Sequence, residues 1–406
     1  MPFAWFVALR YLLTDKAQTG LALAAVSVGV SVIVFLSALI GGLQTSLIDK
    51  TLGSQPHITL RLPREAPQAL VMPGPTTAIA RKVQSTSQRL RSIDQWPAVM
   101  ANAERVPGVT AVSPMVVGAG FAVRGDAREP ILLRGVDPER FLAILDVRRK
   151  LVAGRFDIAT GDVVIGATLA ENLGVGVGDR LHVTTSEGID DTVTINGLFR
   201  VGNEGVDRTW VLTSLRHAQA LFALPGGANA IELKVTDIFA AEDLAHELHD
   251  RTGLDAASWM KLNAELLSGL SAQSSSKSLI EFFVSVAVAL GIASVLIVSV
   301  VQKSREIGIL RAVGTPARRV LQVFLIQGGL LGLAGAVVGS GLGAIFSRLF
   351  EGLAVDATGA PRFPIRLGLP LFAGATTIAV AVGVLAAVIP AIRAARLDPA
   401  TAIRHV

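Results

Sequence analysis

Four apolar runs without a charged residue divide the chain, separated by one long polar stretch and two short ones. Because an α-helix rises about 1.5 Å per residue, roughly 20 apolar residues cross the ~30 Å core of a bilayer. The first run is longer than the apolar region of a cleaved signal peptide, so we expect it to remain as a span. The pattern predicts transmembrane helices at 21–47, 282–301, 320–347 and 367–390.

The long stretch between the first two runs, residues 48–258, mixes alternating strand patterns with short amphipathic helix patterns. It predicts an α+β domain, with a second lobe beginning near residue 151. Residues 63–96 are rich in proline and serine and have little periodicity, which indicates a long irregular loop. Residues 259–281 carry spaced apolar positions with serine-rich faces between them, which predicts a stalk helix that continues into the second span.

A short basic segment, 302–319, separates the second and third spans. The pattern places its apolar residues on one stripe of an amphipathic helix that ends at Gly314 and Pro316. These apolar residues are Ile307, Ile309, Leu310 and Val313. A helix that is apolar on one side and too short to span a membrane needs a surface to lie against, so we expect this segment to couple the protein to a cytoplasmic partner.

Composition supports a membrane protein and indicates its orientation. The 406 residues are 51% hydrophobic and 17% charged, with a mean hydropathy of +0.55 and a pI near 9.9. Much of the basic excess lies beside the spans, which is a topology signal and argues against nucleic-acid binding. We therefore expect residues 1–20, 302–319 and the tail 391–406 to be cytoplasmic, and the large domain and the 348–366 loop to be external. The absence of cysteine excludes disulfides and thiolate metal sites.

No catalytic or metal-binding constellation stands above background. The glycines at 174, 176 and 178 lack the spacing of a phosphate-binding loop and predict a turn. His246 and His249 lie three residues apart near Glu242, but no third partner is evident, so a solvated helix surface is expected. We predict no catalytic residue, no metal site and no cofactor bound by this chain.

The third predicted span contains a Gly-x-x-x-Gly pattern at Gly335 and Gly339, which allows a second helix to approach closely. The partner helix belongs either to the other spans of this chain or to a second subunit. The sequence favours slightly an interface that includes a second subunit, without separating the two.

One amino-terminal span, a large external domain and three further spans are arranged around the motif Arg305-Glu-Ile-Gly-Ile-Leu-Arg-Ala-Val-Gly314. In this order and spacing the chain resembles the permeases of type VII ABC systems, the group that includes MacB and FtsX. Arg10-Tyr11 before the first span, and Trp259 with Asn263 and Leu266 before the second, resemble the lipoprotein-releasing permeases LolC and LolE within that group.

The resemblance implies a non-catalytic permease subunit in a bacterial inner membrane, with an external domain of two lobes, about 49–150 with 228–258 and 151–227. It implies that 302–319 is a coupling helix that docks on a separate cytoplasmic ATPase, which binds ATP and Mg. The residues that would make this contact are Arg305, Glu306, Ile309, Leu310, Arg311 and Gly314. ATP-driven motion would pass through the stalks to the external domains, a mechanism called mechanotransmission.

Lipoprotein release is the function that this resemblance favours. It implies a second permease copy or paralogue and a periplasmic lipoprotein carrier. Two alternatives keep the same architecture. One is export of a small molecule, peptide or glycolipid with a periplasmic adaptor, and the other is FtsX-like regulation of a cell-wall hydrolase.

Overall fold

The computed structural model describes residues 3–63, 90–354, 365 and 367–397. The chain forms two compact units, one made of Met1–Leu47 and Ser268–Val406, the other of Ile48–Leu267. Most of the irregular loop predicted at 63–96 lies outside the described residues. The same is true of much of the predicted 348–366 loop and of residues 398–406 of the predicted tail.

The described residues form α-helices and β-strands in a mixed order, with a short 3₁₀ helix at Val147–Lys150. The helices are α1 Phe3–Thr14, α2 Lys16–Leu52, α3 Trp96–Glu104, α4 Pro138–Ile144, α5 Ala167–Leu173, α6 Glu204–Thr209, α7 Leu215–Leu221, α8 Ala241–Thr252, α9 Trp259–Leu262, α10 Ala264–Gln302, α11 Ser304–Ala312, α12 Ala317–Leu353 and α13 Leu369–Ala395. The strands are β1 Ile58–Arg61, β2 Val109–Arg124, β3 Ala127–Val136, β4 Leu151–Gly154, β5 Asp162–Gly166, β6 Arg180–Thr185, β7 Asp190–Phe199, β8 Trp210–Ser214, β9 Ala230–Val235 and β10 Asp255–Ser258.

Four helices of the first unit, α2, α10, α12 and α13, are long and apolar enough to cross a membrane. The four predicted spans are thereby confirmed. Each helix begins before or ends after the apolar run that revealed it, because helical backbone continues through the flanking polar residues. The predicted span at 320–347, for example, is the central part of α12.

Glycine allows α12 and α13 to pack closely. A Cβ atom at Gly328 would lie 2.3 Å from the carbonyl oxygen of Gly383, and one at Gly332 would lie 2.5 Å from the carbonyl oxygen of Ala379. Only a residue without a side chain fits at such distances, so backbone meets backbone along this contact. Gly29 of α2 gives α10 a similar approach, since its Cβ would lie 2.3 Å from Val288 Cγ2.

The second unit is built on one ten-stranded mixed sheet with the order β10-β1-β9-β2-β3-β8-β5-β7-β4, while β6 pairs with β2 and β7. Helices cover the sheet, which confirms the α+β class of the domain. Strands from both predicted lobes belong to this sheet, joined where β3 pairs in parallel with β8 and where β2 pairs with β6. The predicted ranges of the lobes therefore share a continuous hydrogen-bonded network.

A buried ion pair lies inside this domain. The guanidinium of Arg134 on β3 donates a short hydrogen bond to the Glu232 carboxylate on β9, and both side chains are almost fully buried. The Arg134 guanidinium carbon also lies 3.6 Å from the ring centre of Trp210, in a cation–π contact. Burial lowers the pKa of Arg134, and the Glu232 carboxylate opposes that shift.

The start of the predicted stalk differs from the sequence prediction of a helix at 259–281. Residues Asp255–Ser258 form strand β10 beside β1, and the Ser258 hydroxyl caps the four-residue helix α9. Trp259 is fully buried, and its indole N–H donates to the Ile238 carbonyl at 2.7 Å. The long helix begins only at Ala264, because the preceding residues are held by the sheet and by Trp259.

Candidate functional site

The segment between the second and third spans contains a nine-residue helix, α11. Its carboxyl end is closed by Gly314, which has a φ of +103°. The N–H of Gly314 donates to the Arg311 carbonyl and that of Thr315 to the Leu310 carbonyl, both at 3.0 Å. Glycine adopts this backbone conformation at low cost, so the helix ends at the residue that the sequence predicted.

The apolar residues of α11 face two directions, and the single stripe predicted from sequence is wrong. Ile307 is buried and Leu310 half-buried, whereas Ile309 is 48% exposed and Val313, just after the helix, 84% exposed. Successive helical residues are separated by about 100°, so residues two apart lie on nearly opposite sides. Ile307 and Leu310 therefore face the protein, and Ile309 and Val313 form an outer apolar pair.

The inner face of α11 contacts α1, a helix in the segment 1–20 for which the sequence analysis predicted only a cytoplasmic location. Leu310 and Ile307 line a narrow apolar cavity of about 10 Å³ together with Phe3, Val7 and Tyr11 of α1. Helix α1 also packs on α12 through Ala4, Ala8 and Tyr11. The spacing of these three residues, four and then three apart, is a helical signal that could have revealed α1 from sequence.

A polar cluster joins α1, the start of α2 and the start of α11. The ammonium of Lys303 lies 3.4 Å from the Asp15 carboxylate, 3.7 Å from the Glu306 carboxylate and 5.5 Å from the Tyr11 ring centre. Beside it, the Gln18 amide donates to the Gln302 side chain at 3.0 Å. Burial, and next the nearby Glu306 carboxylate, raise the pKa of Tyr11 to about 12. The cluster fixes α11 against the amino-terminal helix.

The charged residues predicted for coupling differ in exposure. Arg305 and Glu306 are both exposed, but the Glu306 carboxylate borders the polar cluster around Lys303, whereas Arg305 lies one helical turn before Ile309. Arg311 is half-buried, and its guanidinium donates a short hydrogen bond to the Leu397 carbonyl beyond the end of α13. The outer surface of α11 thus presents Arg305 beside the apolar pair Ile309 and Val313, while Glu306 lies at the edge of the polar cluster and Leu310 and Arg311 contact this chain.

Gly335 and Gly339 lie against α2 of the same chain. A Cβ atom at Gly335 would lie 2.3 Å from Val26 Cγ1, and one at Gly339 would lie 2.5 Å from the Ser27 carbonyl oxygen. The close approach expected from the Gly-x-x-x-Gly pattern is therefore made inside the chain. The sequence slightly favoured an interface with a second subunit at these glycines. In the structure α2 occupies this surface.

In the second unit the predicted glycine turn is present. Gly174 ends α5 in the left-handed region, and the Asp179 carboxylate accepts a hydrogen bond from the Gly176 N–H at 2.9 Å. The His249 Nδ1 lies 2.6 Å from the Leu254 carbonyl, and His246 is exposed. Among the described residues there is no group of three or more His, Asp or Glu side chains that could hold a metal ion.

Comparison with known proteins gives two matches to domain families. Residues 19–251 match the family of the MacB-like periplasmic core domain, and residues 278–399 match the FtsX-like permease C-terminal family. The periplasmic region of MacB from Actinobacillus actinomycetemcomitans is a similar solved structure, with 12% identity and a TM-score of 0.34, covering 54% of this chain and 95% of that one.

Several relatives are similar along the chain or along part of it. The LolC lipoprotein-releasing system transmembrane protein of Xylella fastidiosa strain Temecula1 is 25% identical over 441 aligned residues, covering 100% of this chain and 99% of the relative. LolC of Neisseria meningitidis is 24% identical, with 99% of each chain covered. MacB of Neisseria gonorrhoeae, a macrolide export ATP-binding/permease protein, is 32% identical over 114 residues, which are 28% of this chain and 17% of the relative.

The four apolar helices and the α+β domain inserted after the first of them define a multi-pass permease of the ABC class. The chain belongs to the MacB-like family and has the MacB-like periplasmic core followed by the FtsX-like permease region. It is an inner-membrane protein with its large domain in the periplasm. The α11 segment, between the second and third spans, therefore faces the cytoplasm.

Proposed function

We propose that this chain is the permease subunit of a lipoprotein-releasing ABC transporter. The observation that supports this choice is the match to LolC proteins, which extends over nearly all of both chains. The similarity to the MacB relatives is confined to a shorter region. In the proposed function, the permease extracts a lipid-anchored protein from the outer leaflet of the inner membrane and passes it to a periplasmic carrier.

The proposed contact with the ATPase is the outer face of α11. Ile309 and Val313 are large apolar side chains exposed on the cytoplasmic side, Arg305 lies beside them, and Glu306 is exposed at the edge of the polar cluster around Lys303. Burying exposed apolar side chains in a groove of a partner is favourable, and flanking charges fix orientation. Leu310 and Arg311, which contact this chain, are assigned to positioning α11. ATP and Mg are bound by the partner ATPase.

The proposed coupling is mechanotransmission. Helix α10 is unbroken from Ala264 to Gln302, and α11 begins two residues later at Ser304. The carboxyl end of α10 therefore directly precedes the proposed docking surface in the sequence. We propose that the ATPase moves α11 and that α10 conveys this displacement to the periplasmic domain, in a complex of two permeases and two ATPases.

The test uses the tagged full-length chain in its native membrane, with matched substitutions at exposed valines. Val313→Asp places a charge on the proposed contact, whereas Val152→Asp makes the same change at an exposed position of the periplasmic domain. We expect Val313→Asp to abolish co-purification of an ABC ATPase and to retain lipoproteins in the inner membrane. Val152→Asp should preserve ATPase binding.

Two results would contradict the proposal in different ways. If the ATPase is recovered undiminished with both Val313→Asp and Ile309→Asp, the proposed docking surface on α11 is wrong. Loss of the ATPase without retention of any lipoprotein in the inner membrane would leave the docking surface but reject lipoprotein release as the function. Co-purification of an adaptor or a hydrolase would then indicate the alternative substrate or target.

A further inference from the structure

A pocket of about 430 Å³ lies between α10 and α13 where both helices approach the cytoplasm. This volume is within the range of about 300–1,000 Å³ that is typical of small-molecule sites. The wall is formed by apolar side chains from the two helices, namely Ile297, Val300, Val301, Pro390 and Ile392. Val301 is 68% exposed, so the wall opens to the surroundings of the helix bundle.

The cytoplasmic end of this pocket is positively charged. Arg393 lines it from the last turn of α13, and Arg396 lines it from the position that follows the last residue of this helix. Both residues are exposed. Within the part of the chain that the structure describes, no carboxylate forms an ion pair with either guanidinium.

We propose that this pocket binds an anionic phospholipid of the cytoplasmic leaflet, with an acyl chain along the apolar wall and the phosphate at Arg393 and Arg396. The apolar wall belongs to two membrane-spanning helices and the arginines to the cytoplasmic end of one of them. In the cytoplasmic leaflet the acyl chains lie in the membrane and the headgroups face the cytoplasm, which is the same order as the apolar wall and the arginines of the pocket. Basic pockets between spans on the cytoplasmic side are suited to anionic headgroups for this reason.

The pocket is connected to the coupling segment through one residue. Leu397 lines the pocket, and its carbonyl accepts the hydrogen bond from Arg311 of α11. A lipid that fills the pocket would therefore contact the segment that holds the cytoplasmic helix in place. This inference concerns a lipid of the cytoplasmic leaflet and does not depend on the substrate handled in the periplasm.

The test is native mass spectrometry of the full-length protein in mild detergent, titrated with phosphatidylglycerol or phosphatidylethanolamine. We expect the protein to retain the anionic lipid in preference to the zwitterionic one. Arg393→Gln combined with Arg396→Gln should weaken phosphatidylglycerol binding by about 25-fold, since each basic residue near an anionic headgroup contributes about a factor of five. Arg318→Gln with Arg319→Gln removes the same charge from another exposed cytoplasmic pair and should leave binding unchanged.

A second pair of variants tests the apolar wall without changing charge. Val301→Trp fills the pocket and should reduce binding of both lipids, whereas Val298→Trp, on the same helix but outside the pocket, should not. Equal losses in the two arginine pairs, or full binding in Val301→Trp, would overturn the proposal. Topology of each variant is checked by labelling one introduced cysteine, which is specific because the chain has none.

Discussion

The ammonium nitrogen of Lys303 lies 3.4 Å from the carboxylate Oδ2 of Asp15, which joins the residue before α2 to the start of α11. The Lys303 side chain is 11% exposed, so the pair is shielded from water. A shielded charge that loses its partner retains its desolvation penalty. The pair therefore holds α11 in place, although neither residue belongs to the Arg305–Gly314 motif.

We predict that Asp15→Asn and Lys303→Met are each destabilising and that their effects are not additive. The coupling free energy from a double-mutant cycle should be about 0.5–3 kcal/mol. It is measured by thermal unfolding of the purified full-length chain. Arg348→Met, which removes the more exposed Arg348–Glu351 pair, is the control and should change stability by less than about 1 kcal/mol. Additive effects of the two substitutions would show that the pair does not stabilise the docked α11.

The buried pair of the periplasmic domain gives a larger expected effect. Glu232→Gln leaves the Arg134 guanidinium buried without a countercharge, which costs about 3–5 kcal/mol. Arg134→Met combined with Glu232→Leu removes both charges and should cost less than Glu232→Gln alone. Tryptophan fluorescence during thermal unfolding is a suitable measurement, because Trp210 stacks on Arg134. An unfolding temperature of Glu232→Gln equal to that of the wild type would contradict this account.

Two histidines predict that the periplasmic domain loses stability in mild acid. Burial lowers the pKa of both His57 and His217, against opposing effects from the Val235 backbone and the Asp191 carboxylate respectively. The unfolded chain, with a histidine pKa of about 6.5, therefore takes up protons at a higher pH than the folded chain. The stability that the neutral histidines confer is complete above about pH 6.5 and is lost as pH falls through the lower folded pKa values.

The test is the unfolding temperature, measured between about pH 8 and about pH 5, an interval that includes the ordinary histidine pKa of about 6.5. His57→Gln with His217→Gln should flatten the decline below about pH 6.5. His246→Gln, at an exposed position, is the control and should retain the wild-type slope. An unchanged slope in the double variant would assign the acid sensitivity to other groups.

Two glycines on α12 provide a matched test of helix packing. A Cβ atom at Gly339 would lie 2.5 Å from the Ser27 carbonyl oxygen, whereas at Gly341 it would meet nothing within 4 Å. Gly339→Ala should therefore force α2 and α12 apart and lower the unfolding temperature of the full-length chain. Gly341→Ala should be neutral or slightly stabilising, because alanine favours helix more than glycine does. Equal unfolding temperatures would contradict the close packing of α12 on α2.

The sequence was most informative where a single physical property determines which secondary-structure element forms. Uncharged runs long enough to cross a bilayer predicted all four spans, and alternating patterns predicted that the domain at 48–258 contains strands. Short elements were missed, among them α4, α6 and β10. In α4 the signals were present, since Asp137 caps the helix and Pro138 begins it, but seven residues carry little periodicity.

The candidate site was predicted less completely, because tertiary contacts divide residues that are neighbours in sequence. The predicted stripe grouped Ile307, Ile309 and Leu310, although helix geometry places Ile309 nearly opposite Ile307, and α1 covers Ile307 and Leu310 and leaves Ile309 exposed. Nothing in the local pattern indicates which surface α1 will cover. The same reason explains Gly335 and Gly339: their spacing predicts a close helix contact but does not identify α2 as the helix that makes it.

Strand β1 begins at Ile58, and its register partner on the neighbouring antiparallel strand β10 is Ser258. Directly opposed residues of such strands are separated by about 4.5–5.5 Å between Cα atoms. The periplasmic domain therefore starts and finishes at one place on its sheet, the arrangement in which domain insertion is tolerated. A short linker could therefore join its ends, and a membrane protein with the four spans alone could acquire or exchange such a domain in a single recombination event.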